Sequence, residues 1–421
     1  MTQQYKVFAP NKNIKGNLKL TGSKSIANRV LLIRALTERY FEIENISESD
    51  DTNTLIALLN SDEYELDAHH AGTTFRFMTA FLAIKGEERI LTGSSRMKQR
   101  PVGPLVNALN SLGCNVEYLE NEGYPPLKFG PLKSELNNEV SVPGNISSQY
   151  LSALLMIAPV LPRGLKLTIL DDLVSRPYLE MTLSVMGYFG VSHTWEDNVI
   201  AVAHQQYTAK PFFVEADWSG ASYFYSIASM SESAEIVLEG LSKDSLQGDS
   251  AIAKISESFG IQTIYENRTV KIIKKKGAPV KELLEYDFIK QPDIAQTVFA
   301  MCAAQGMQGL FTGLQTLFIK ETDRIKAFQT ELAKVNVYLS KVPSRFINSE
   351  EQEYYMVDGK ASYESIPEFD TYQDHRMAMA LAPLALQHTI AINEPGVVSK
   401  SYPEFWNDLK NLGFDIEESV I

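Results

Sequence analysis

Seven basic residues interrupt stretches of low charge: Lys24, Arg29, Arg76, Arg100, Lys320, Arg324 and Arg376. Arginine grips carboxylate or phosphate through paired hydrogen bonds, and lysine acts as a point charge. Several of the seven fall where an apolar run begins. Such a set suits a small polyanionic substrate. Asp293 and Glu321 accompany these cations and can serve as acid–base groups. Two plainer readings compete: surface salt bridges for KETDR (320–324), and an interdomain ion pair for Arg376. Lys320 and Arg324 share a helical face only if their helix starts early. Arg29 follows Lys24 by five residues and need not point the same way. An arginine opening a buried helix, as in Asp374-His375-Arg376, is costly unless paired.

Other chemistries find little support. The six histidines form neither an HExxH pair nor a spaced His/Cys set, and His69-His70 reads as a loop pair. No GxSxG elbow occurs, and Gly22-Ser23-Lys24-Ser25 lacks the contiguous G-K-[ST] of a phosphate-binding P-loop. Two cysteines, Cys114 and Cys302, cannot build a disulfide framework, which favours a reducing, cytoplasmic setting. Cys114 ends a helical pattern and reads as a core thiol. The net charge of -13 disfavours nucleic acid and anionic membranes, but not a local basic site. The start, MTQQYKVFAP, has neither the basic nor the apolar region of a signal peptide. The longest apolar run, Leu151 to Leu161, is too short to span a bilayer.

The elements that position these residues repeat. Six segments begin small or polar and run directly into an apolar helix, at Ser23, Gly72, Ser147, Ser219, Asp293 and Asp374. Their starts lie 49, 75, 72, 74 and 81 residues apart, so the first interval is short. A helix with no polar face is buried, yet its N-terminus offers free N–H groups and partial positive charge to an anion. Ordinary N-capping explains any single start; six at a regular period imply a shared architecture. Strands are expected at 165–170, 198–204, 234–240 and 269–275. Amphipathic helices are expected at 104–113, 178–190, 250–260 and 326–336, the last three ending near Gly or Asn. Each period therefore reads as an α/β unit of βαβαββ type. Six units divide into two domains of three: 1–20 plus 215–421, and 21–214. One unit is expected to be truncated between Asp51 and Gly72.

These motifs resemble the 5-enolpyruvylshikimate-3-phosphate synthase family. The resemblance rests on GSKSIANR (22–29), AGTTFRF (71–77), RMKQRPVGPLV (96–106), NISSQY (145–150) and LVSRPY (173–178). It continues through EADWSGASYF (215–224), LQGD (246–249), PDIA (292–295), KETDRI (320–325), YQDHRMAMA (372–380) and SKSYPEF (399–405). It implies a two-domain enolpyruvyl-transferase-like fold that closes over its substrates. It also implies transfer of the enolpyruvyl group of phosphoenolpyruvate to the 5-hydroxyl of shikimate 3-phosphate, without metal or other cofactor. By resemblance, Lys24, Ser25, Arg29, Ser147, Ser148, Gln149, Ser175, Tyr178, Asp293 and Lys320 hold shikimate 3-phosphate. Lys24, Gly72, Thr73, Arg100, Gln149, Arg324, Arg376 and Lys400 hold phosphoenolpyruvate. Lys24, Asp293 and Glu321 are the implied catalytic groups: Asp293 orients or deprotonates the hydroxyl, and Glu321 exchanges protons with the methylene carbon. A monomer is the default expectation.

The sequence departs from the family at several points. His70 stands where the family usually has Asn, Thr21 and Phe77 stand where Pro is usual, and Thr316 where some members carry Asn. The sibling family that acts on UDP-N-acetylglucosamine shares the fold but uses a Lys-Asn pattern near the N-terminus, where this chain has Lys24-Ser25. A non-catalytic anion-binding relative is the third reading. Lys24, Asp293, Glu321 and Arg376 argue against it.

Overall fold

The structure is a computed structural model that describes residues 3–347 and 352–420. It is mixed α/β. The chain divides into two compact domains: a split one, Met1–Thr21 with Glu215–Ile421, and a continuous one, Gly22–Val214. The first division thus falls one residue beyond position 20.

Among the described residues, five four-stranded sheets share one strand order. In the sheet of residues 65–130, Glu65–Asp67 runs parallel to Arg89–Thr92, which pairs antiparallel with Leu127–Gly130, followed outward by Asn115–Tyr118. The first, second, fourth and third strands of a unit therefore lie side by side. The same order recurs in the sheets built on Glu139–Pro143, Asn13–Lys19, Leu283–Asp287 and Glu368–Phe369. In the last of these, the fourth place belongs to the N-terminal strand Gln3–Phe8, between Ile390–Asn393 and Asp415–Val420. Alternation makes such sheets: Ser233–Glu239 and Thr269–Lys274 bury every second side chain.

The remaining sheet has two strands only, Ile43–Glu44 parallel to Phe212–Phe213. Its missing strands are the hairpin that elsewhere follows the second helix: helix Asp50–Leu59 leads directly to Glu65–Asp67. Aromatic packing supports the short ladder, with Phe189 4.7 Å from Phe41 and 5.6 Å from Phe212 between ring centroids.

The apolar helices form the cores. Of the ten residues of Ser148–Ile157, only Gln149 is not buried, and Trp218–Met230 is buried except at Ser219. Burial of each large aliphatic or aromatic side chain contributes roughly 1.5–3 kcal/mol. The predicted helix over 250–260 is instead broken into Gly248–Ala251 (3-10), Ile252–Ile255 (α) and Ser256–Phe259 (3-10). Serines at 250, 256 and 258 compete locally with helical bonding. Gly190, Gly260 and Asn336 follow helical segments at positive φ (87°, 74° and 61°), a conformation that suits Gly and Asn. Cys114 and Cys302 are buried free thiols.

Candidate active site

In the continuous domain three buried helices pack together, Lys24–Leu36, Gly72–Lys85 and Ser148–Ile157. Lys24 opens the first, with Nζ 3.2 Å from Oδ2 of Asp51, which is almost fully buried. Asp51 sits on the first turn of helix Asp50–Leu59, and its carbonyl accepts from the Thr74 hydroxyl at 2.6 Å. It thereby ties Lys24 to the helix of Gly72 and Thr73. The sequence reading missed Asp51; its signal was a carboxylate on the helix first turn after a Ser49 cap. Gln149 donates to the Thr73 hydroxyl at 2.9 Å, so two expected phosphoenolpyruvate contacts meet. Ser147 caps its helix through the Gln149 N–H, with Ser148 buried behind it. Ser25 is half-buried in the turn after Lys24.

Arg76 and Tyr150 fix the backbone around Arg100. Arg76 donates to the carbonyls of Gly72 (2.9 Å) and Pro101 (3.3 Å), and the Tyr150 hydroxyl donates to Pro101 at 2.5 Å. The Arg100 guanidinium then lies against Gly72: a Cβ built there would stand 2.5 Å from Nη1 and 2.8 Å from Cζ. Gly72→Ala should therefore displace Arg100 without disturbing the backbone. The expected result is a KM for phosphoenolpyruvate raised roughly tenfold, equivalent to about 1.4 kcal/mol, with an unchanged thermal transition. An unchanged KM would show that Arg100 has room to swing aside.

Arg29 is placed differently from Lys24. Its guanidinium is 2 % exposed and donates to Thr182, Ser152 and the carbonyls of Ser25 and Tyr178, 5.6 Å above the Phe77 ring. Burial lowers its pKa to about 10 against the opposing effect of Tyr178. In this structure Arg29 holds Tyr178 and Thr182 to its own helix. Ser175, at φ 56°, precedes helix Arg176–Tyr188 and is buried. His70 is exposed on the turn before Gly72, next to His69, whose ring lies 3.0 Å from Asp67.

The split domain gathers the remaining residues. Asp293 lies 3.0 Å from Arg376, 3.3 Å from Arg324 and 3.5 Å from Lys320. Glu321 bridges Arg324 and Lys400, each at 2.8 Å. Arg324, 2 % exposed, is anchored to the fully buried Asp374 at 2.7 Å, and Asp374 also caps the helix of Arg376. Arg376 further donates to the Asp293 carbonyl at 3.0 Å. The surface reading of KETDR therefore fails, and Arg376 pairs with Asp293 of its own domain. Nor do Lys320 and Arg324 share a helical face. Asp323 caps a helix starting at Arg324, and Lys320 is extended before it, so Arg324 reaches Asp293 from the helix start and Lys320 from the preceding loop. Asp374 was read only as a helix opener; its burial could not be seen from sequence.

Four cations, Lys320, Arg324, Arg376 and Lys400, thus face three carboxylates, Asp293, Glu321 and Asp374. Burial pushes the Asp293 carboxyl up, but Arg376, Lys320 and Arg324 outweigh it and hold it well below the usual carboxylate range. Burial likewise lowers Lys320, with Asp293 opposing. For Arg324 burial is overcome by Asp374 and Glu321, which hold the guanidinium charged. Among the described residues no three His, Cys, Asp or Glu side chains are arranged to hold a metal ion, and no helix is long and apolar enough to cross a membrane.

Fold and charge together give two α/β domains with cations gathered near helix starts, an arrangement suited to small anions. The family model described as EPSP synthase (3-phosphoshikimate 1-carboxyvinyltransferase) matches residues 8–61 and 56–409. A 3-phosphoshikimate 1-carboxyvinyltransferase of Bacteroides fragilis (strain YCH46) is 44% identical over 416 residues, 98% of this chain and 99% of the relative. One from Aliivibrio fischeri (strain ATCC 700601 / ES114) is 36% identical over 436 aligned residues, 96% of this chain and 98% of the relative. A solved EPSP synthase from Acinetobacter baumannii matches with a TM-score of 0.79 at 20% identity, covering all of both chains. The chain belongs to the EPSP synthase family.

Proposed function

We propose that this chain is a 3-phosphoshikimate 1-carboxyvinyltransferase, joining phosphoenolpyruvate to the 5-hydroxyl of shikimate 3-phosphate and releasing phosphate. The observation that carries the reading is the constellation of half-buried Asp293, Lys320 and Glu321 with buried Arg324, Arg376 and Lys400, within a chain of this family. The hydroxyl oxygen adds to C2 of phosphoenolpyruvate while a proton joins C3. Loss of a proton from C3 then expels phosphate, and the hydroxyl proton leaves overall with it.

In this reading Glu321 gives and retakes the C3 proton, with Lys24 assisting. Asp293, held ionised by three cations, is a weak base and a strong hydrogen-bond acceptor. Its part is to orient the hydroxyl. Lys24, Ser25, Ser147, Ser148, Gln149, Ser175, Tyr178, Asp293 and Lys320 bind shikimate 3-phosphate; Lys24, Gly72, Thr73, Arg100, Gln149, Arg324, Arg376 and Lys400 bind phosphoenolpyruvate. Fixed donors of this kind stabilise developing charge without having to reorganise. For Arg29 the same reading requires that its guanidinium turn out of its pocket when substrate binds. The reading carries with it a cytoplasmic monomer that needs no cofactor.

The test is phosphate release from phosphoenolpyruvate. It should occur with shikimate 3-phosphate, should not occur with UDP-N-acetylglucosamine, and should survive a chelator. Release with the nucleotide sugar alone would move the chain to the sibling activity, and no release with either would leave a non-catalytic anion binder.

A further inference from the structure

One carboxylate of the split domain has no part in the roles above. Asp249 lies in the 3-10 segment Gly248–Ala251, packed against helix Trp218–Met230. It is 3 % exposed. Its Oδ2 accepts a short hydrogen bond from the Ser219 hydroxyl, while Oδ1 is buried with no hydrogen-bond partner. Among the described residues no cation lies within ion-pair distance of it. Ser219 in turn accepts from Nη2 of Arg376 at 3.5 Å, the nitrogen that pairs with Asp293 at 3.0 Å. Asp249 therefore reaches Arg376 through one hydroxyl.

A buried carboxylate with a bare oxygen and no cation is costly to ionise. The groups that face it are Asp293, Arg376, Asp217 at the cap of helix Trp218–Met230, and the Tyr286 hydroxyl. Two of the four are acidic. Burial foremost, and then Asp293, raise the Asp249 pKa to about 7, against the opposing effect of Arg376. Its neighbour Asp293 is displaced the other way, and such divergence marks groups with different tasks. An ionised Asp249 adds a negative charge one hydroxyl away from Arg376 and weakens its pull on an anion; a neutral Asp249 does not.

We infer that Asp249 is a positioning residue for the anion grip of Arg376, a buried carboxyl that must hold its proton for phosphoenolpyruvate to bind tightly. The inference rests on reading this cluster as part of the phosphoenolpyruvate site. By linkage, an anion beside Arg376 favours the protonated form, so binding near pH 7 takes up a proton.

The experiment is calorimetric titration of phosphoenolpyruvate into the enzyme saturated with shikimate 3-phosphate. It is run from pH 5.5 to 8.5 in buffers of different ionisation enthalpy, for wild type and Asp249→Asn. Comparing the two proteins cancels the ligand's own ionisation. Wild type should take up a larger fraction of a proton near pH 7. Its affinity relative to the variant should fall about tenfold across the range, the size of one pKa unit of coupling. Parallel profiles and equal proton uptake would overturn the inference; absence of binding to wild type would instead overturn the functional reading. Thermal unfolding gives a ligand-free check. A carboxyl raised in the folded state makes stability fall as pH rises from about 4 to 7. Asp249→Asn should therefore gain Tm over wild type at pH 8 relative to pH 5, and a pH-independent difference would also overturn the inference. Should the variant not fold, the infrared carbonyl band of a protonated carboxylic acid in wild type decides: it must persist to near pH 7, and its loss by pH 5 refutes the proposal.

Discussion

Asp293→Ala and Glu321→Ala should each lower kcat about 10²–10⁴-fold, the range of a positioned acid–base or orienting group. Substrate affinity should change far less. Glu321→Ala should in addition slow solvent-deuterium exchange into the methylene carbon, because that proton is the one it carries. Asp293→Ala should not. The pH dependence separates the two further. Asp293 is displaced downward, so its carboxylate is ionised throughout the neutral range, and the kcat profile should show no limb from it there. The sign for stability is the same: a depressed carboxyl favours the fold above its unfolded value of about 3.9 and loses that contribution on acidification through its folded value. Wild-type kcat in both variants would remove the mechanism proposed for this cluster.

Arg324→Met should destabilise the protein by about 3–5 kcal/mol, the cost of leaving a buried charge without its partner. The charge left behind is Asp374, which has no exposed surface and lies 2.7 Å from Arg324. The double change Arg324→Met with Asp374→Asn should recover much of that stability, since Asn stays neutral and can still accept the Arg376 N–H at the helix cap. It should not recover turnover, because Glu321 and Asp293 lose a shared cation. Denaturant unfolding of the three proteins measures the first effect and phosphate release the second. A single variant as stable as wild type would mean that Asp374 finds another partner or a proton.

The repeat was legible because buried helices must be apolar on every face while their first turns stay polar. That contrast located Ser23, Gly72, Ser147, Ser219, Asp293 and Asp374 near their helix starts. Strands 165–170 and 269–275 were legible from alternation. What pairs with what was not. Lys24 with Asp51, and Arg324 with Asp374, join residues 27 and 50 positions apart, and no local pattern marks such partners. Arg29 shows the reverse limit: a motif position gives a residue type, while the rotamer depends on Thr182, Ser152 and Phe77 around it. Helix 250–260 failed because a hydrophobic period says nothing of whether the backbone holds α geometry through three serines.

The N-terminal strand Gln3–Phe8 lies between Ile390–Asn393 and Asp415–Val420, and Asn13–Lys19 lies beside Ser233–Glu239. During synthesis both strands emerge well before their partners, and Gln3–Phe8 waits the longer of the two. The continuous domain, Gly22–Val214, holds all of its own strands and can fold while the start of the chain still waits. Closure of a long loop costs entropy that grows only with the logarithm of its length, so the wait is penalised in time more than in stability. For hundreds of residues of translation Gln3–Phe8 has no sheet to join, and Lys6, the charged side chain of that strand, is the feature that disfavours its pairing elsewhere.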